Sequence, residues 1–191
     1  AYGNSLTVNE NEFFKNLFPH SIVDAISDRV ASQMYEGLFT FNELDLSTEK
    51  RLCEDFSVSD DGLVYTFKIK KGVFFHDNEC FDGGKGRELK AEDIKYCYTQ
   101  LSTQSANNQG FTIFDGVVKG AIAYYEASAN GTPDFEVEGI KVIDDYTIQI
   151  ELIKPTALFT TNLARPFGYI FPKEAFEKYG LDMRENVVGT G

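Results

Sequence analysis

Residues 59–77, "SDDGLVYTFKIKKGVFFHD", decide how this chain is read. Leu63, Tyr65, Phe67 and Ile69 fall on one face of an extended segment, and Val64, Thr66, Lys68 and Lys70 fall on the other. Asp61-Gly62 favours a tight reversal, so together with the preceding "FSV" the stretch predicts a β-hairpin. Lys71-Gly72 then breaks the regular strand, and "VFFH" continues extended. The stretch closes on His76-Asp77, and His76 is one of only two histidines in the chain. Such a pair can ligate a metal or polarise a nucleophile, so its reading separates an enzyme from a protein that only holds a ligand.

A second passage has related grammar. In "VEGIKVIDDYTIQIELIKP", Asp144-Asp145 precede Tyr146, Ile148, Ile150 and Leu152 in strict alternation, and Pro155 closes the strand. The likeness is one of local strand chemistry and does not indicate a duplicated domain. Helices are predicted between and around the hairpins. "SDRVASQMYEGL" offers Ser27 or Asp28 as N-cap and a stripe of Val30, Met34 and Leu38. "AEDIKYCYTQL" places Glu92 and Asp93 in a first turn and Ile94, Cys97, Tyr98 and Leu101 on one face. "AIAYYEASANG" ends on Asn130-Gly131, and "PKEAFEKYG" starts on Pro172 and stops at Gly180. Antiparallel hairpins interleaved with helices argue an α/β or α+β protein with a mixed sheet.

The 191 residues suffice for one large domain or two small ones. A net charge of −12, with no local run of Lys and Arg, excludes nucleic acid as an expected partner. No apolar run approaches the ~20 residues that span a bilayer, and no signal-peptide pattern opens the chain. The aromatic content, 17 Phe and 10 Tyr, exceeds what a core alone calls for, and some of it could line a ligand cleft.

The candidate chemistry is thin. Lys85 is followed by Gly86-Arg87, so the loop "DGGKGRE" lacks the Lys-Ser or Lys-Thr of a phosphate loop. Residues 77–88 have the length of a calcium loop, but Phe81 occupies a ligand position and Asp82 the place of the turn glycine. His76 and Asp77 point to opposite faces of a strand and cannot converge on one metal, so they read as the end of a strand bonding local backbone in a turn. Neither a nucleophile elbow nor any other catalytic constellation is present. The chain is read as non-enzymatic, with no cofactor and no metal. Of Cys53, Cys80 and Cys97, the pair Cys80–Cys97 is the favoured disulfide if one forms, and three reduced thiols are the equal alternative.

Taken in order, "QMYEGLFTFN", "EDFSVSDDGLVYTFKIKKGVFFHD", "LKAEDIKYCYTQL", "IKVIDDYTIQIELIKP", "FPKEAFEKYG" and "NVVGTG" resemble the oligopeptide/dipeptide-binding proteins, the family 5 extracellular solute-binding components of ABC importers. The resemblance covers residues 24–191 and is closest to a Bacteroidetes-like branch with a "CFDGGKGRE"-like insert. It implies a periplasmic-binding-protein-like class II fold, of which this chain is part of the N-terminal lobe. Residues 1–46 and 168–191 would belong to domain I and residues 47–167 to an inserted, hairpin-rich domain II. Ending on "VVGTG", the chain is expected to stop short of a second lobe. The "KGVxFHD" block has no catalytic role in such proteins.

The resemblance further implies a monomeric binding protein that holds short peptides between two lobes and delivers them to an inner-membrane permease. Such a protein is periplasmic and lipid-anchored. A nickel complex, a sugar or an opine is the alternative solute, and a signalling or adhesion module the alternative role. Early-loop backbone pairs with an extended peptide in these relatives, which points to Val23, Asp24 and Ala25, and an aromatic near the peptide's start points to Phe111. Asp24 could instead meet a ligand amine. Lys90 stands where the family carries a Ser or Thr helix cap, a departure expected to cost about 1 kcal/mol.

Overall fold

The structure, a computed structural model, describes residues 12–191. In chain order the elements are α1 (Ala25–Ala31), β1 (Phe39–Phe41), β2 (Thr48–Lys50), β3 (Cys53–Val58), β4 (Val64–Ile69), α2 (Ala91–Leu101), α3 (Ala121–Ser128), β5 (Ile140–Asp144), β6 (Thr147–Glu151), α4 (Phe159–Leu163) and α5 (Lys173–Tyr179). Short 3-10 turns at Pro19–Ser21 and Pro166–Gly168 flank the region that matters most below.

Both hairpins form as the alternation requires. β3, β4, β6 and β5 lie side by side in that order. Phe56, Phe67, Ile148 and Val142 make one cross-sheet row, and Val58, Tyr65, Ile150 and Ile140 the next. Tyr65, Phe67, Ile69, Ile148 and Ile150 are buried, whereas Thr66 and Gln149 meet on the opposite face through a 3.0 Å hydrogen bond. The first turn is closed by side chains: Leu63 N–H donates to Asp61 Oδ1 at 3.0 Å and Val64 N–H to Ser59 Oγ at 2.9 Å. Tyr146 N–H donates to Asp144 Oδ1 in the same manner at the second turn.

Helices and strands combine as expected, but the sheets themselves are not mixed. Every described strand pair is antiparallel, including β1 with β2. The reason is connectivity: three of the four pairings join strands through short turns, and a parallel pair needs a long crossover.

α2 covers the sheet with Ile94, Cys97, Tyr98 and Leu101, the face its periodicity predicts. Lys90 makes no side-chain cap at its N-terminus, but other groups bond there. Lys90 N–H donates to Asp93 Oδ2 at 2.8 Å, and Ala91 N–H donates to the Asp145 carbonyl at 2.8 Å. Arg87 grips the same buried Asp93 with two guanidinium nitrogens, at 2.6 and 2.9 Å, and reaches Glu174 of α5 at 2.7 and 2.8 Å. Asp93 thus supplies the reciprocal half of a capping box, at the N-cap N–H, while Lys90 offers no side-chain acceptor to the first turn and its ammonium serves Glu88 at 3.1 Å and the Tyr146 hydroxyl.

α1 begins three residues earlier than its sequence suggests. The N-cap is Asp24, not Ser27 or Asp28: its Oδ1 accepts the Ser27 N–H at 2.9 Å and its Oδ2 the Ser27 hydroxyl at 2.8 Å. The helix stops at Ala31, so Met34 and Leu38 reach the core from the following extended segment.

Of the two alternatives for the cysteines, the structure holds the reduced one: Cys53, Cys80 and Cys97 are all free thiols, and the Cys80–Cys97 pair is not formed. The α2 face that carries Cys97 turns into the core, where the sulfur donates to the Phe171 carbonyl at 3.2 Å and accepts its N–H at 3.3 Å. Cys80 sits instead in a surface turn, its N–H bonded to Asn78 Oδ1. Burial pushes the Cys53 thiol up to about 11 and Cys97 well above its ordinary range, so neither is a reactive thiolate at neutral pH.

Candidate functional site

Between the N-terminus of α1 and the turn Pro166–Gly168 lies a cleft of about 290 Å³, lined by Ile22, Val23, Asp24, Ala25, Asp28, Arg165, Pro166 and Phe167. The three early-loop ligand residues that the resemblance implies, Val23, Asp24 and Ala25, therefore stand together on one wall. Local chemistry puts them there. The 3-10 turn Pro19–Ser21 is sewn to the loop before α3 by Gln109 N–H on the His20 carbonyl at 2.8 Å and by the Ser21 hydroxyl on the Asn107 carbonyl. The chain leaves that turn extended, with φ/ψ of −78°/112° at Ile22 and −120°/149° at Asp24, and enters α1 at the Asp24 cap.

Val23 lies between these two extended residues, 71% exposed, and neither its N–H nor its C=O makes a hydrogen bond among the described residues. A residue with both main-chain groups open between two extended neighbours can serve as a template for strand addition. Asp24 is less available. Both carboxylate oxygens are taken by Ser27, whose backbone N–H, chiefly, holds the carboxyl below its usual range. Its carbonyl also accepts the Asp28 N–H at 3.1 Å, so its main-chain N–H is what it can offer a ligand.

The opposite wall carries Phe167, Pro166 and Arg165. Phe167 is seated by Gly110, where a Cβ would come 2.6 Å from the ring. Phe111, the next residue, does not line this cleft: its ring stacks on Tyr125 at 3.9 Å. Aromatic density in the sequence marks neither Phe167 nor Arg165, because a Phe after a proline looks like any loop residue. At the floor, Asp28 Oδ1 accepts the Tyr169 hydroxyl at 2.9 Å, and partial burial raises the Asp28 carboxyl.

Two other clefts are lined by groups already paired with one another. One, between α2 and α5, holds Arg87, Asp93, Glu174, Lys95 and Glu136, all ion-paired. The other holds the Glu36–Arg51 pair and Glu49, which accepts from Asn42 at 2.6 Å. No grouping of His, Cys, Asp and Glu among the described residues could hold a metal ion. His76 is far from any such role. Its Nε2 lies 2.7 Å from the Gly191 carbonyl, its Nδ1 accepts from Gly189 N–H at 3.4 Å, and its own N–H donates to the Gly189 carbonyl at 2.9 Å. It bonds backbone, as its sequence suggests, but backbone from the far end of the chain. Asp77 makes the local bond, to Gly86 N–H at 2.9 Å.

An α-plus-β lobe with a cleft beside an open early-loop strand is the architecture of class II periplasmic binding proteins. The model of bacterial extracellular solute-binding proteins, family 5 Middle, matches residues 47–191, and the chain belongs to that family. It is 29% identical, over 93% of its own length, to the glutathione-binding protein GsiB of Salmonella choleraesuis (strain SC-B67), and spans 29% of that relative. A periplasmic oligopeptide-binding protein of Borrelia burgdorferi (OppAIV) superposes with a TM-score of 0.80 at 26% identity, over 92% of this chain and 33% of that one. The periplasmic binding protein DppA of Helicobacter pylori, in complex with the peptide STSA, superposes with a TM-score of 0.74 at 24% identity, over 93% of this chain and 34% of that one. The chain thus spans under a third of the length of the curated relatives it matches. No described helix is long and apolar enough to cross a membrane.

Proposed function

We propose that this chain is part of the substrate-binding component of an ABC importer that takes short peptides and passes them to a membrane permease, without catalysing a reaction. One observation carries the peptide reading: Val23, exposed and set between extended neighbours, leaves both main-chain hydrogen-bonding groups unused at the rim of a cleft with an aromatic far wall. Main-chain pairing at Val23, Asp24 and Ala25 gives affinity that does not depend on the peptide's side chains. Phe111, whose ring stacks on Tyr125 outside this cleft, is the aromatic that the family resemblance assigns to the start of the ligand. The glutathione-binding and oligopeptide-binding relatives support a peptide-like solute.

In this reading residues 1–46 and 168–191 form part of domain I, and residues 47–167 form domain II. Contacts between the outer segments support that division: Gly37 bridges Tyr169, and Ile170 N–H donates to the Glu36 carbonyl at 2.9 Å. The rest of the binding site comes from a second lobe that closes over the ligand. The protein works as a periplasmic monomer held at the membrane by a lipid anchor. Native mass spectrometry of the full-length protein secreted by its host tests the reading. A ladder of short peptides is the expected bound mass. A single non-peptide mass keeps the binding role and removes the peptide assignment, and an empty protein that ignores a peptide library removes both.

A further inference from the structure

Both walls of the cleft rest on one short loop, residues 105–110, which joins the end of α2 to the turn Phe111–Ile113. The Asn107 carbonyl accepts the Ser21 hydroxyl, and Gln109 N–H donates to the His20 carbonyl at 2.8 Å. The loop thus carries the turn from which Val23 extends. Gly110 carries the far wall: a Cβ there would lie 2.6 and 2.8 Å from Cγ and Cβ of Phe167 and 2.7 Å from Leu101 Cδ1.

Asn108 fastens this loop to α2. Its Nδ2 donates to the Leu101 and Thr103 carbonyls at 2.8 Å each, and its Oδ1 accepts Gly110 N–H at 3.1 Å. Carbonyls at a helix end lack intrahelical donors, so a side-chain amide is held firmly there. Gly110 itself sits at φ −90° and ψ −11°, in the right-handed region that any residue adopts. An added methyl would therefore meet its neighbours rather than strain the backbone. Leu101 is fully buried, whereas Phe167 is half-buried with the cleft on its open side, so the ring is the one to yield, into the cleft.

We propose that residues 105–110 set the width of the cleft, with Asn108 and Gly110 as positioning residues, and that this width makes the site select peptides by side-chain size. This rests on the peptide reading above. Gly110 places the Phe167 ring, and Asn108 holds that ring and the early loop to the same reference, the end of α2.

Calorimetric titration of the full-length protein with Ala-Ala-Ala and the three peptides carrying one Phe in its place tests the role of Gly110. Gly110→Ala should weaken at least one Phe peptide about tenfold or more relative to Ala-Ala-Ala. In a Phe167→Ala background the same substitution should leave that ratio unchanged, because the ring that transmits the displacement is gone. A loss shared equally by all four peptides, or one that persists without the ring, overturns the role of Gly110 and leaves the peptide reading standing. A wild type that binds none of the four overturns the peptide reading, and size selection with it.

Asn108→Asp tests the loop without a ligand and without tighter packing. The carboxylate keeps the acceptor for Gly110 but turns no donor to the α2 carbonyls. Hydrogen exchange should quicken about fivefold in residues 19–25 and 166–169 together. Exchange that quickens only in residues 101–110 overturns the loop's hold on the two walls.

Discussion

The His76 ring and the Gly191 carbonyl, 115 positions apart in sequence, meet at 2.7 Å. With Gly189 N–H on the other ring nitrogen, the imidazole takes the tautomer that donates from Nε2 and accepts at Nδ1. It therefore acts as a clasp on the last residues of the chain. His76→Ala should cost about 1–2 kcal/mol and speed amide exchange in residues 187–191 more than elsewhere. Hydrogen-exchange mass spectrometry checks this; uniform exchange in that segment would remove the clasp.

Val23→Pro deletes one main-chain donor from the proposed peptide edge. Ile22 is already extended, so the proline fits the backbone before it. Thermal stability of the full-length protein should hold while peptide affinity falls about tenfold. A calorimetric titration that finds equal affinities contradicts strand addition at this residue.

Asp93 is 4% exposed and serves both the start of α2 and the Arg87 guanidinium. Asp93→Ala leaves Arg87 with Glu174 alone and the Lys90 N–H without its acceptor. The expected loss is about 3 kcal/mol, at the low end for breaking a buried pair because Arg87 keeps contact with water. Lys90→Ser adds an acceptor for the Glu92 or Asp93 N–H but removes the Lys90 contacts to Glu88 and Tyr146, so its net change should stay within about 1 kcal/mol. Urea denaturation of the two variants separates these outcomes.

His20 is 1% exposed, set edge-on against Phe18 and Phe171, and its Nε2 has no hydrogen-bond partner among the described residues. Burial lowers its pKa from 6.5 to about 3. Because the folded value lies below the unfolded one, the unfolded chain takes up the proton first as pH falls. The stability from burying neutral His20 is complete above about pH 6.5 and declines by about 1.4 kcal/mol per unit below it. Denaturation at pH 7.5, 5.5 and 4.5 should show this slope, and His20→Phe should flatten it. An unaltered slope in the variant would place its origin elsewhere.

The sheet is legible from residues 59–77 and 138–155 because alternation leaves only one face for the core, and the acidic turns then set the register. α2 is legible for the corresponding helical reason. What sequence patterning misses is whatever depends on contact across the chain. Asp93 bonds the Lys90 N–H and the Arg87 guanidinium at once. Cys97 spends its sulfur on Phe171 and has none left for Cys80. Asp24 starts α1 because Ser27 is buried against the backbone of Lys15 and Asn16, which no local pattern reveals. At the candidate site, Val23, Asp24 and Ala25 are found by resemblance, and the structure adds what makes Val23 useful, its open main chain. Arg165 and Phe167 carry no signal of their own; they matter only because the turn Pro166–Gly168 folds back beside α1.

The extended segment after α1 receives Ile170 at Glu36 and Gly191 at Met34, and Thr190 donates to a Glu36 carboxylate 154 residues earlier. Gly189 lies so close that a Cβ there would come within 2.0 Å of the Met34 carbonyl. At translation rates of roughly 5–20 residues per second, residues 34–37 wait about 10–30 s after leaving the ribosome before these partners exist. Phe39 meets Phe56 and Phe67 of the β3–β4 hairpin much sooner, but the main chain at Met34 and Glu36 stays open for that whole interval, so a holdase chaperone would find its target in this early segment.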